Sequence, residues 1–118
     1  MSTELHFGRD LQGYNADAPQ FPVDIFTATL ATGTDSSITV PSNFKTWVMY
    51  VTVQPNGWVW VSRNGTAAVP TGGTFTAAVS ELAVGTFEFR RVVFAGDIID
   101  FITSNTTCDI EVSFQATI

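Results

Sequence analysis

From Val23 onward β signals dominate, apolar and polar positions alternating within successive short segments with the two-residue period of strands. The stretch "VDIFTATLA" sets Val23, Ile25, Thr27 and Thr29 against Phe26, Ala28 and Leu30, and "SITVP" predicts a second short strand closed by Pro41. Next, "TWVMYVTV" sets Trp47, Met49, Val51 and Val53 against Val48, Tyr50 and Thr52, and "GWVWVSR" sets Trp58 and Trp60 against Val59 and Val61. Pro55-Asn56-Gly57 between them predicts a β-hairpin turning at Asn56-Gly57. Both faces of that hairpin would be largely apolar, so both would need cover.

A second Asn-Gly, Asn64-Gly65, opens a long stretch rich in Gly, Ala and Thr, which predicts a loop with at most a short strand around Phe75. A helical reading of "TAAVSELAVG" would give one or two turns at most. "TFEFRRVVFAGDIIDFIT" predicts two strands separated by the turn Ala95–Asp97. The last eleven residues set Cys108, Ile110, Val112, Phe114 and Ala116 against Asp109, Glu111, Ser113 and Gln115, the clearest half-buried strand in the chain.

Seven or eight short strands and no convincing helix predict an all-β fold, an antiparallel β-sandwich with jelly-roll-like order, over residues 23–118. Residues 1–22 have no sustained period and mix Gly8, Gly13, Pro19 and Pro22 with isolated apolar side chains, so they are expected to form an extended N-terminal arm. The arm would pack on its own domain or on a neighbouring subunit.

Composition sharpens the question of cover. Hydrophobic residues make up 45% of the 118 and charged ones only 14%, about half the usual charged share, which leaves either Ser, Thr, Asn and Gln or a partner to shield the surface. A formal net charge of −6, with Arg90-Arg91 as the only adjacent basic pair, argues against nucleic acid, which is held by clustered Lys and Arg. No apolar run approaches the roughly 18 residues of a membrane helix. The start, "MSTELHFGRD", has neither the basic nor the apolar region of a secretory signal, so synthesis and folding in a cytosol are expected. A single cysteine, Cys108, agrees with that, and its place in an alternating strand makes it a small core residue.

Little here suggests catalysis. Asp97, Asp100, Glu81 and Glu88 are the candidate carboxylates for a glycosidase-type pair, and Ile98 and Asp100 should share a strand face, but Asp97 sits where turns favour Asp for local hydrogen bonds. The only histidine, His6, lies in the unpatterned leader, where a solvent-exposed or locally hydrogen-bonded side chain is expected, and neither a metal nor a cofactor is expected. Trp58 and Trp60, two apart, should project from one face; with nearby Asn64 they could form a platform for carbohydrate, or fill a core or a protein interface. Arg90 and Arg91 must point to opposite faces, to an acid of the same chain or of a neighbour. The sequons at Asn64 and Asn105 would matter only in a secreted protein.

The unsignalled start, the small-residue loop "NGTAAVPTGGTFT", the segment "RRVVFAGDIIDFIT" and the last strand "CDIEVSFQATI" together make the chain resemble the small jelly-roll virion proteins of tailed bacteriophages, of the capsid decoration or cement type and related fibre-tip domains. The resemblance implies a non-enzymatic structural protein made in the host cytoplasm and carried on the virion. It implies a homotrimer bound to the major capsid protein or another virion protein, with no nucleic acid and no membrane; a carbohydrate- or receptor-binding module at a fibre tip is the other reading. Leu5, Phe7, Leu11, Tyr14 and Phe21 of the arm, with Tyr50, Trp58, Trp60, Arg90 and Arg91, are then the candidate interface residues.

Overall fold

The computed structural model describes residues 24–117 and the strand backbone of residues 7–9 and 15–19. Strands β1 (Phe7–Arg9) and β2 (Asn15–Pro19) pair antiparallel, Phe7 opposite Pro19 and Arg9 opposite Asn15, as a small sheet of their own. The leader thus holds strand pairing that its residue pattern does not announce. Side chains of Leu5, Phe7, Leu11, Tyr14 and Phe21, and His6, lie outside the described residues.

Eight strands follow: β3 (Asp24–Ala31), β4 (Ser36–Thr39), β5 (Thr46–Val53), β6 (Trp58–Arg63), β7 (Ser80–Val84), β8 (Phe89–Phe94), β9 (Ile98–Ile102) and β10 (Thr107–Ala116). They form two four-stranded sheets, ordered β3-β10-β5-β8 and β4-β9-β6-β7, with every pairing antiparallel. Each link crosses from one sheet to the other except β6 to β7. That order is the eight-stranded jelly roll, an all-β antiparallel sandwich.

The expected hairpin is not one. β5 pairs with β10 and β8, whereas β6 pairs with β9 and β7, so the two strands lie in opposite sheets. Pro55 is the cause. Its ring holds φ negative, so the turn closed by the Gly57 N–H to Gln54 carbonyl bond (3.0 Å) has its positive φ at Asn56 alone (63°), the pattern of a type II turn. Unprimed turns splay the strands they join, where the primed Asn-Gly turn would have matched their twist. Each strand therefore has one core face and one outer face, and the apolar content of both faces together was never a single surface to be covered.

The long loop holds no strand at Phe75, which is fully exposed, and "SELAV", for which a short helical reading is possible, forms the edge strand β7. The core lies between the sheets: Trp47, Met49, Val51 and Val53 of β5 face Val59, Val61, Ile99 and Phe101, and Cys108, Ile110, Val112, Phe114 and Ala116 of β10 join them. Trp47 is wholly buried, edge-on to Phe44 (5.7 Å) and Phe114 (6.4 Å), and its indole N–H donates to the Phe44 carbonyl at 3.1 Å. Cys108 is a wholly buried core residue as its alternation predicts, and burial pushes its thiol pKa up.

Candidate docking face

Alternation along β6 that sends Val59 and Val61 inward sends Trp58 and Trp60 outward, onto the free face of the second sheet. Register then sets Val84 beside Trp58 and Leu82 beside Trp60, with Ile102 on the other flank of Trp60. Trp58, Trp60, Leu82 and Val84 form the floor of a shallow groove, walled by Val69 and Pro70 of the long loop and by Ser104. Trp58 and Leu82 remain 40% and 47% exposed. The same loop, residues 68–79, shares a second hollow with Trp60 and carries Phe75 and Val79 outward into solvent.

The indole of Trp58 is fixed rather than free. Its N–H donates to the Ser104 hydroxyl at 2.5 Å, its backbone N–H donates to Asn105 Oδ1 at 2.9 Å, and its carbonyl accepts from the Thr103 hydroxyl at 2.7 Å. Asn64, the third member of the expected carbohydrate platform, is spent elsewhere. Its backbone N–H donates to the Ile98 carbonyl (2.7 Å), its Oδ1 accepts from the Ile98 N–H (2.8 Å) and its Nδ2 donates to Asp97 (3.1 Å). Apolar carbon, the Trp60 indole and a Ser104 hydroxyl that already accepts from Trp58 are what the side chains of this groove offer.

The candidate carboxylates serve the frame. Asp97 stands in the β8–β9 turn, accepting from Arg63 Nε at 2.7 Å, from the Phe94 N–H at 2.9 Å and from Asn64. Burial alone would raise its pKa, but those donors together hold it below the ordinary carboxylate value. Asp100 does share the outer face of β9 with Ile98, yet Ile98 is half exposed and Asp100 only 4%. Its Oδ2 accepts the Ala67 N–H at 2.8 Å, which pins the root of the long loop to the sheet. Burial pushes its pKa up, and a hydrogen bond with Asp35 and the charge of that residue push it further. Among the described residues no group of three or more His, Cys, Asp or Glu side chains could hold a metal ion.

Arg90 and Arg91 do point apart. Arg90 is outward and meets Glu88 at 3.2 Å, both exposed. Arg91, on the core side of the edge strand β8, reaches across to Glu81 on the edge strand of the other sheet; Nε lies 3.2 and 3.1 Å from the two carboxylate oxygens and Nη2 2.7 Å from Oε1. Its guanidinium also stacks over Phe89, 4.3 Å from the ring centroid, so the pair closes one open side of the sandwich. Tyr50 is half-buried on the outer face of the first sheet, between Ser113 and Arg90 in register.

Spacing two apart was enough to set Trp58 and Trp60 on one face. That a loop leaves Trp60 half covered, and that Asp35 meets Asp100 from 65 positions away, depends on chain crossings that local pattern does not carry. No protein-family model, no curated protein and no solved structure matches this chain.

Proposed function

We propose that the chain is a non-enzymatic structural protein of the virion decoration type, which assembles with copies of itself and binds a capsid or other virion protein through the outer face of its second sheet. The Trp58 groove carries this reading. It is open, mostly apolar and rigidly framed, and the exposed Phe75, Val79 and Leu82 extend its apolar surface. Sugar recognition needs several convergent polar groups around an aromatic platform, and the groove has Ser104, whose oxygen already accepts from the indole. An apolar side chain of a protein partner suits it better. Arg91, which the sequence allowed as an interface group, is instead engaged by Glu81 across the sandwich, which favours the aromatic groove as the contact surface.

Co-sedimentation of the pure protein with shells of the phage whose genome carries the sequence tests the reading, with Trp58→Ala and Leu82→Ala alongside. A central interface tryptophan is worth about 2 kcal/mol or more, so Trp58→Ala should weaken binding roughly thirtyfold. Emission from Trp58 should also shift to the blue as the shell covers it. Shell binding untouched by both substitutions would refute the groove's role, and saturable binding of oligosaccharides by the isolated protein, lost in Trp58→Ala, would instead establish the carbohydrate reading.

A further inference from the structure

A sandwich of two open sheets has four edge strands, here β3, β8, β4 and β7. Unpaired edges invite pairing with other chains, and proteins blunt them with charge, shortness, proline or bulges. Three of these four are blunted. β4 has four residues; β7 has five and carries Glu81; β8 carries Arg90 and Arg91. Among the described residues, β3 has only Asp24, at its first position, as such a device. It runs eight residues, "DIFTATLA", without proline or lysine, and its pairing with β10 is unbroken from Ala31 opposite Thr107 to Asp24 opposite Phe114, so no bulge twists it away. Ile25 through Thr29 are exposed, and Ile25 and Phe26 retain 44% and 43% of their surface. Below this edge, Phe26, Leu30, Ile38, Phe101 and Val112 line a crevice that opens between β3 and β4 toward the core.

We infer that β3 pairs with β3 of a second copy, antiparallel and about a two-fold axis near Thr27–Ala28, which joins the two first sheets into one of eight strands. A second copy fits because antiparallel pairing of the strand with itself keeps its like charges apart. Asp24 is its only charge. Antiparallel pairing puts the two Asp24 side chains about 20 Å or more apart, beyond the screening length at physiological salt, whereas parallel pairing would set them side by side. The acidic groups next inward are Glu111 and Asp109, opposite Thr27 and Thr29 on β10; across the paired edges they would lie at least three strand spacings, about 14 Å, from those of the second copy, again largely screened. Phe26 of each copy would lie over the junction, beside the crevice of its own chain. A two-fold pair differs from the trimer that the phage resemblance implies, and it is independent of what the Trp58 groove binds.

Light scattering on the full chain over a range of concentrations should give the mass of two chains. Thr27→Lys puts two like charges across the junction in either central register, and within its own chain the new lysine faces Glu111, so the fold should be kept. Opposed like charges on paired strands should weaken the dimer about fivefold, seen as a shift toward the mass of one chain at matched concentration with an unchanged far-ultraviolet spectrum. Amide exchange of the unsubstituted protein provides a readout that needs no variant: β3 amides should be protected more at high concentration than at low, and β8 amides equally at both. A single-chain mass throughout, a mass of three chains, a dimer indifferent to Thr27→Lys, or β3 exchange independent of concentration would each overturn the inference.

Discussion

Asp97 and Asp100 stand three residues apart, and their pKa values are displaced in opposite directions, down for Asp97 and up for Asp100. For Asp97, held below its ordinary value by Arg63, Phe94 and Asn64, the stabilisation is present above the unfolded pKa and is lost as pH falls through the folded one. For Asp100, raised by burial and by Asp35, the folded state binds the proton more tightly than the unfolded chain; its favourable contribution is complete below the unfolded pKa, near 4, and disappears as pH rises through the folded value. Asp100→Asn removes that second limb and keeps an oxygen for the Ala67 N–H. The variant should therefore be more stable than the parent at pH 7, with the difference closing by pH 4, in urea unfolding at the two values. A variant less stable at pH 7 would mean that the ionised carboxylate, not its proton, holds the loop.

At the scale of elements, the turn at Gln54–Gly57 decides the topology, and Gly85 locks it in place. Gly85 N–H donates to the Gly57 carbonyl at 3.2 Å, and a Cβ built on Gly85 would run into the Gln54 carbonyl oxygen, with Gln54 C at 3.0 Å and Pro55 Cα at 3.1 Å. All three atoms are backbone and cannot swing away. Gly85→Ala should cost about 1–3 kcal/mol, read as a lower urea midpoint with the slope unchanged; an unchanged midpoint would show that this packing is loose. The same turn marks how far the sequence was legible. Strands β3, β5, β6, β8, β9 and β10 follow from their alternation, because each has several large apolar residues on one face. Partners for β5 and β6 do not follow from Asn56-Gly57, since the proline before the asparagine changes the turn from strand-matching to strand-splaying. β7 is faint because its inward residues are Glu81 and the small Ala83 while Leu82 points out, so the pattern that marks a core strand is inverted there. Of the candidate site, the shared face of the tryptophans was legible and the groove walls were not, because Val69, Pro70 and Ser104 come to it from loops.

In the whole molecule, the sheet is completed by its last strand. β10 lies between β3 and β5, pairing the final residues with the first of the sandwich, Phe114 opposite both Asp24 and Met49. Until residues 107–116 arrive, β3 has no neighbour in its sheet, and β5 keeps only β8. Pairings so distant along the chain carry their loop-closure cost before the contacts that repay it, and all-β folds of this kind fold in milliseconds to seconds rather than microseconds. Stopped-flow refolding followed by tryptophan emission, which senses Trp47 entering the core, should fall in that range. Removing residues 107–118 should abolish the cooperative transition altogether, because it takes five apolar core residues and both pairings of the central strand at once. A truncated chain that still unfolded cooperatively would require β3 and β5 to meet directly, and hence a different sheet from the one described here.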